Sequence, residues 1–308
     1  MSAPEVSVVM SVYNGAEHLE TTLASILSQE GCEFEFIVVD DGSTDGTSRI
    51  LDEWAARDSR LRIIHQQNTG LTRALIRGCA EARGEFIARQ DAGDVSLPGR
   101  LAAQCACLRT HPDTVMVSSG ACFRGPADEK LYEVRCEGEA LDRGLSNLNV
   151  RAIQGPPHHG STMFRREAYL KAGGYRLPFV VAQDIDLWLR LADLGHCWGL
   201  DDIHYEARLA ASSISGRRRE DQIRAAGLAI ECARLRRSGR SDQALVEKGI
   251  PASAHAGGAA SRREQSRFFY FVGACLSERD PASARRYFWR AARENPLFLK
   301  ALARSILG

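Results

Sequence analysis

What this 308-residue chain lacks narrows its class before any motif is read. It has no long hydrophobic run: its most apolar segment, Phe268 to Leu276, is nine residues, about half of what crosses a bilayer. Its first residues, MSAPE, offer neither a basic n-region nor a small-residue cleavage site, so no signal peptide is expected. Net charge is almost absent, at +1, which argues against a general polyanion or nucleic-acid binder. The nine cysteines contain no C-x-x-C pair, and Cys105 and Cys107 stand at i and i+2 of a helical pattern, where side chains point apart. They are expected as reduced thiols in a cytosolic protein, without zinc or disulfides. No G-x-G-x-x-G follows the first strand pattern, and no G-x-x-x-x-G-K-[ST] or G-x-S-x-G occurs. Their absence removes the dinucleotide fingerprint, P-loop chemistry and the hydrolase elbow.

The composition that remains, 44% apolar and 26% charged, is that of a globular protein of one large or two ordinary domains. The near-zero net charge hides an asymmetry: residues 1–216 sum to −9 and residues 217–308 to +10. We therefore expect an α/β domain over 1–216 and a basic, mainly helical C-terminal extension over 217–308.

The first part alternates strand and helix patterns. Val6 to Val12 is a β-rich run, followed by a helix with Leu19, Leu23, Ile26 and Leu27 on one face. Phe34 to Val39 is a second strand, running into a polar turn suited to a helix N-cap; the next helix carries Ile50, Leu51 and Trp54. Leu61 to Ile64, a helix over Leu71 to Ala82, and Glu85 to Arg89 continue the alternation. Such βαβ units imply a mainly parallel sheet, which binds ligands at the carboxyl ends of its strands. From about residue 111 the pattern loosens: Thr114 to Ser118 and Leu131 to Arg135 read as strands, Gly155 to Gly160 as a loop, Asp184 to Leu194 as a helix. His255 to Ser261 reads as a linker. Beyond it Ala284, Phe288, Ala291 and Pro296 have the spacing of a single tetratricopeptide-like helix pair, expected as a helical hairpin on the main domain rather than a solenoid. The same segment offers Arg285, Arg286, Arg290, Arg293, Lys300 and Arg304 for peripheral contact with anionic lipid, against the plainer reading of a solvated basic face.

Three acidic groups fall where strands end or helices begin: Asp40 with Asp41, Asp91 with Asp94, and Asp184 with Asp186. One alone would be an ordinary turn. Together they suit a site in which carboxylates bind ribose or a base, hold a divalent cation, or act as a general base. His158 and His159, in a Pro/Gly loop, are candidates for metal or phosphate.

Four ordered segments carry a resemblance: Val6-Ser-Val-Val-Met-Ser-Val-Tyr-Asn14; Val39-Asp-Asp-Gly-Ser-Thr-Asp-Gly-Thr47; Arg89-Gln-Asp-Ala-Gly-Asp94 with Leu97-Pro-Gly-Arg-Leu101; and Gln183-Asp-Ile-Asp-Leu-Trp-Leu-Arg190. In order and spacing they resemble the motifs of the family 2 inverting glycosyltransferases of the GT-A fold, over about residues 4–215. The resemblance implies a mixed, mainly parallel sheet flanked by helices, and transfer of a sugar from a nucleotide-diphosphate donor to a hydroxyl of a glycan or lipid-linked acceptor. It implies that Ser11 and Tyr13 line the nucleotide base, that Asp40 accepts a hydrogen bond from it, and that Arg73 approaches base or diphosphate. Asp91 matches the first carboxylate of a D-x-D motif near ribose and metal, and Asp184 matches the catalytic base. Asp186, Trp188, Arg190, His158 and His159 fall on the acceptor side, although Trp188, on an amphipathic helix, reads at least as well as a core residue.

The chain departs from the family where D-A-D-D is usual, reading Asp91-Ala-Gly-Asp94, so that Gly93 stands at a ligand position. Gln183 replaces a frequent Glu, and Ala210 a frequent metal-binding His. The expectation is a Mg²⁺ or Mn²⁺ held weakly by Asp91 and Asp94, with Arg73 or His158 and His159 supplying further charge neutralisation. The same departures favour a second reading, a degenerate, non-catalytic nucleotide-sugar or glycan-binding protein. A nucleotidyltransferase fits less well, because Ser11 to Gly15 has no basic residue for a phosphate loop.

Overall fold

The computed structural model describes residues 3–149, 153–211, 219–249 and 261–307. The chain forms two compact units, one of Met1–Ala121, Val134–Ala207 and Ile223–Ile250, the other of Cys122–Glu133, Arg208–Gln222 and Pro251–Gly308.

The first unit opens with β1 (Val6–Val12), α1 (Ala16–Leu27), β2 (Phe34–Asp40), α2 (Thr47–Ala55), β3 (Leu61–His65), α3 (Leu71–Ala80) and β4 (Phe86–Asp91). β1 pairs in parallel with β2 and β4, and β2 with β3, so all four strands end at one edge. Their side chains alternate between two apolar layers: Val6, Val8, Met10 and Val12 enter one, and Val9 the other with Ile37 and Ile87. A sheet covered on both faces needs such continuous apolar runs, and each fully buried Val, Ile or Phe contributes roughly 1.5–3 kcal/mol.

The chain continues through β5 (Val95–Ser96), α4 (Arg100–Thr110), β6 (Thr114–Arg124), β7 (Lys130–Val134) and α5 (Ala140–Ser146). A single turn of 3₁₀ helix at His159–Ser161 leads into β8 (Thr162–Arg165), α6 (Arg166–Lys171), α7 (Gln183–Ala192) and β9 (His196–Arg208). The strand order is β3-β2-β1-β4-β8-β6-β9-β5, with β7 on β6. β8 is antiparallel to β4, with Met163 opposite Ala88, which delivers the preceding His158–Ser161 turn to the carboxyl end of β4. β5 is antiparallel to β9, with Ser96 opposite Tyr205. The mixed sheet flanked by helices matches the expected architecture.

The expected boundary at 216/217 lies outside the described residues. The helix after it, α8 (Arg219–Arg237), belongs from Ile223 onward to the first unit, with α9 (Gln243–Lys248), and not to a C-terminal extension. The physical reason is packing: Ala225 and Ala226 pack with Val181 and Ala182, and Ala229, Ile230, Cys232 and Ala233 join the main core.

Among its described residues after 260, the second unit has the helices α10 (Arg262–Leu276), α11 (Pro281–Glu294) and α12 (Leu299–Leu307). Ser261 caps α10 through a reciprocal box with Glu264; the rest of the expected linker, 255–260, lies outside the described residues. Ala284, Phe288 and Ala291, the residues of the repeat-like spacing, form the buried face of α11. A Cβ on Gly273 would come 2.8 Å from the Phe288 ring, so this glycine sets the close approach of α10 and α11.

Candidate active site

The carboxyl ends of β1, β2 and β4 and the His158–Ser161 turn assemble one polar site. Asp91 ends β4, Asp94 lies in the turn before β5, and His158 precedes the 3₁₀ turn. One ligand atom from each lies within 4.8 Å of the others. His158 Nδ1 is 3.8 Å from Asp91 Oδ2 and 3.6 Å from Asp94 Oδ2, while the Gly160 N–H donates to the same Nδ1 at 3.1 Å. Two carboxylate oxygens and an imidazole nitrogen suit a small divalent cation such as Mg²⁺ or Mn²⁺. Gly93, where the family more often has a ligand, adopts φ +94°, and space around its Cβ position is open. Ala210 supplies no ligand atom.

Four buried residues that sequence reasoning did not single out hold this cluster. Arg89 is fully buried; its guanidinium donates to Asp91 Oδ1 at 2.8 Å, to His159 Nε2 at 3.3 Å and to the Val9 carbonyl. The Tyr175 hydroxyl is 2.7 Å from the same His159 nitrogen. Two donors converging on Nε2 keep the ring proton on Nδ1. Burial, reinforced by Arg89, pushes the His159 pKa down to about 3, so this histidine is a neutral acceptor inside the protein rather than a group facing a sugar. Tyr205, brought by β9, donates from its hydroxyl to Asp94 Oδ2 at 2.9 Å and accepts the Asp91 N–H at 3.1 Å. A Cβ on Gly160 would come 1.9 Å from that hydroxyl, so only glycine allows the turn so close. Arg100, also fully buried, donates to Gln90 Oε1, Ser96 Oγ and the Arg89 carbonyl, bracing β4 against β5; burial lowers its pKa to about 10, still charged at neutral pH. Burial pushes the Asp91 carboxyl up, but Arg89, helped by His158 and Arg100, overrides it and holds the group below the usual carboxylate range.

Asp184 differs. It lies in the first turn of α7, its Oδ1 accepting the Ile185 N–H at 2.9 Å. Burial raises its pKa, and the negative charge of Asp91 adds to the rise. The two carboxylates are thus in electrostatic contact while their environments drive their pKa values apart. The residue before α7's first turn, Ala182, has φ +53° and is buried against Ala225 and Ala226, which fixes the entry of the chain into Asp184.

The nucleotide-side candidates occupy the same sheet edge. Ser11 is opposite both Val39 and Asp91, and Tyr13, just past β1, is 53% exposed. Asp40 is buried and its oxygens accept from Ser43, Ser48 and His65; burial raises its pKa, and these hydrogen bonds bring it down overall. Asp41 accepts from Gln66, Thr69 and Gly70, tying the α3 approach loop to β2. Arg73 is exposed in the first turn of α3.

Besides His159, three acceptor-side expectations need correction. Asp186 is buried and bound by Arg176 Nε at 3.0 Å and by Arg190 Nε and Nη2 at 3.1 and 2.6 Å. Arg190 also donates to the Ala172 carbonyl, and Arg176 pairs with Asp242. Trp188 is buried in the main core, edge-on to His159 and against Gly155. All three hold α7 in place rather than face a ligand, because this helix is buried on nearly every side.

Residues 7–173 match the family described as Glycosyl transferase family 2. EpsE of Bacillus subtilis, named as a glycosyltransferase, is 32% identical over 252 residues, covering 80% of this chain and 88% of that protein. The amylovoran biosynthesis glycosyltransferase AmsE of Erwinia amylovora is 28% identical over 222 residues, covering 69% and 79%. The fold is similar to that of residues 1–349 of TarS from S. aureus, solved with UDP, at a TM-score of 0.54 and 17% identity over 98% of this chain and 88% of that one. The chain belongs to glycosyl transferase family 2. It is a glycosyltransferase with a GT-A-type fold.

Proposed function

We propose that this glycosyltransferase inverts the anomeric centre, moving a sugar from a nucleoside-diphosphate donor to a hydroxyl of a glycan or lipid-linked acceptor by direct displacement. The observation that carries this reading is Asp184 in the first turn of α7, its carboxyl pKa raised by burial and by the negative charge of Asp91 at the end of β4. A carboxylate of raised pKa is a stronger base, as proton abstraction from an acceptor hydroxyl requires. Asp184 takes that proton as the hydroxyl oxygen attacks the anomeric carbon. The bond from that carbon to the diphosphate oxygen breaks on the opposite face, and one displacement inverts the configuration.

Asp91, Asp94 and His158 would hold a Mg²⁺ or Mn²⁺ ion, which neutralises charge on a diphosphate leaving group. Arg89 and Tyr205 keep the two carboxylates aimed. Ser11, Tyr13 and Asp40 would line the base and Arg73 would approach the base or diphosphate. The uridine nucleotides in the TarS structures favour a uridine diphosphate donor. Relatives named for amylovoran and teichuronic acid biosynthesis favour a cell-surface polysaccharide as product. Nucleotide-sugars and the nine free thiols suit the cytoplasmic side, with peripheral membrane contact where the acceptor is lipid-linked. The non-catalytic alternative rests on Gly93, Gln183 and Ala210, yet Asp91, Asp94 and Asp184 are retained and His158 completes a ligand set. The test is Asp184→Asn. Transfer should be abolished with nucleotide binding intact; unchanged behaviour in every assay would mean that Asp184 is not the base.

A further inference from the structure

We propose that the second unit carries an edge that docks on an anionic membrane surface, built from Trp289, Leu297 and Leu299 and ringed by Arg285, Arg286, Arg293 and Lys300. This deepens the lipid-linked-acceptor reading by naming the surface that would bring the enzyme to its acceptor.

The helix α11 has two unlike faces. Ala284, Tyr287, Phe288, Ala291 and Ala292 are buried, and Arg285, Trp289 and Arg293, one helical turn apart, form a ridge on the opposite side. The ridge runs toward the turn before α12, where Leu297 is 84% exposed and Leu299 70%, with Trp289 at 50%. A merely solvated basic face would not offer two nearly bare leucines and a tryptophan within eleven residues. Single exposed apolar residues are ordinary; three within one eleven-residue stretch that also carries Arg290 and Arg293 are the pattern of an interfacial segment.

The charge has the sign the proposal needs. Residues 261–307 hold ten basic and four acidic side chains. Among the described residues Arg285, Arg290, Arg293 and Lys300 form no ion pair, so their charge is uncompensated. A cavity of about 560 Å³ is lined by Arg262, Gln265, Phe269, Arg290, Arg293 and Glu294. The Arg290 guanidinium carbon lies over the Phe269 ring, 4.2 Å from its centroid, a cation–π contact. Arg293 belongs to both ridge and cavity, which suits a lipid phosphate received beside inserted apolar side chains. Nucleic acid would engage the arginines and stack on Trp289 but leave Leu297 and Leu299 without a role. Among the described residues no helix is long and apolar enough to cross a membrane, so this edge would act laterally.

The experiment is co-sedimentation of the full chain with vesicles of phosphatidylcholine alone and of an equal mixture with phosphatidylglycerol. Binding is expected only to the anionic vesicles. Leu297→Ser with Leu299→Ser should lower the partition coefficient at least tenfold. Arg293→Ala with Lys300→Ala should lower it about five-fold per charge removed. All four positions are exposed, and nucleotide binding by each variant, measured in parallel, should stay at the wild-type level. Absence of nucleotide binding in the wild type would count against the transferase reading, not this one. Failure of the wild type to bind anionic vesicles would overturn the proposal. So would vesicle binding indifferent to the leucines and matched by duplex DNA, the mark of a general polyanion face. A dimer in light scattering that Leu297→Ser with Leu299→Ser dissolves would equally overturn it, assigning the edge to a second copy of the chain.

Discussion

Asp184 and Asp186 stand two residues apart at the start of one helix, and the structure gives them opposite responses to the same substitution. Asp186 accepts from both Arg176 and Arg190 and is almost wholly buried. Asp186→Asn removes its charge and turns an NH₂ group toward guanidinium donors. Breaking a buried pair from one side costs roughly 3–5 kcal/mol. Asp242 still partners Arg176 and Arg236, which argues for the lower end, about 3 kcal/mol. At roughly 2–4 °C per kcal/mol for a domain of this size, Tm should fall by about 6–12 °C.

Asp184→Asn should do the reverse. Its folded-state pKa is raised, so ionisation of Asp184 costs the folded state stability at neutral pH, a cost that vanishes as pH falls through that raised pKa. The Asn variant should therefore melt at or above the wild-type temperature at pH 7, with the gap closing in acid. Differential scanning calorimetry from pH 7 to pH 4, with transfer measured per mole of folded enzyme, reads both effects. Asp186→Asn should keep most of its specific activity and Asp184→Asn almost none. Selective loss of activity in Asp186→Asn at an unchanged Tm would refute the assignment and return Asp186 to the acceptor side.

Other expectations follow from the same site. His158→Ala should raise the Mn²⁺ concentration for half-maximal activity about tenfold with little change in Tm; an unaltered Mn²⁺ titration would remove His158 from the ligand set. Gly93→Asp, at φ +94° in open space, should tighten Mn²⁺ dependence at a cost of roughly 1–3 kcal/mol in stability, read by urea titration. Ala182→Val should lower kcat with a Tm loss, because a β-branched residue resists φ +53°, whereas Ala182→Gly should retain kcat.

The parallel half of the sheet was legible because its apolar runs alternate with helices of regular length. β1, β2 and β3 lie within a residue of their expected ends. β8 and β9 were not read. The buried positions of β9 include Cys197, Gly199, Tyr205 and Ala207 among polar neighbours, a pattern without a clear apolar period. Asp91, Asp94 and Asp184 were legible as acidic residues at strand and helix ends. The braces were not, because nothing local marks an arginine such as Arg89 or Arg100 as fully buried. Nor does sequence reveal that His158, 67 positions after Asp91, returns beside it through the antiparallel β8. Asp186, Trp188 and Arg190 were placed on the acceptor side by the family resemblance alone, and nothing local in the sequence shows that α7 is buried on nearly every side.

The proposed transfer depends on a donor pocket for a nucleoside diphosphate at the carboxyl ends of β1, β2 and β4. Its most direct test is the melting temperature of the full chain with UDP, dTDP, GDP, CMP and AMP, each with Mn²⁺ and with chelator. At 100 times its dissociation constant a bound nucleotide adds about 2.7 kcal/mol, enough to raise Tm by roughly 5–10 °C. That shift is expected with a uridine or thymidine diphosphate, diminished by chelator. An unmoved melting temperature with every nucleotide, in the presence of Mn²⁺, would contradict it.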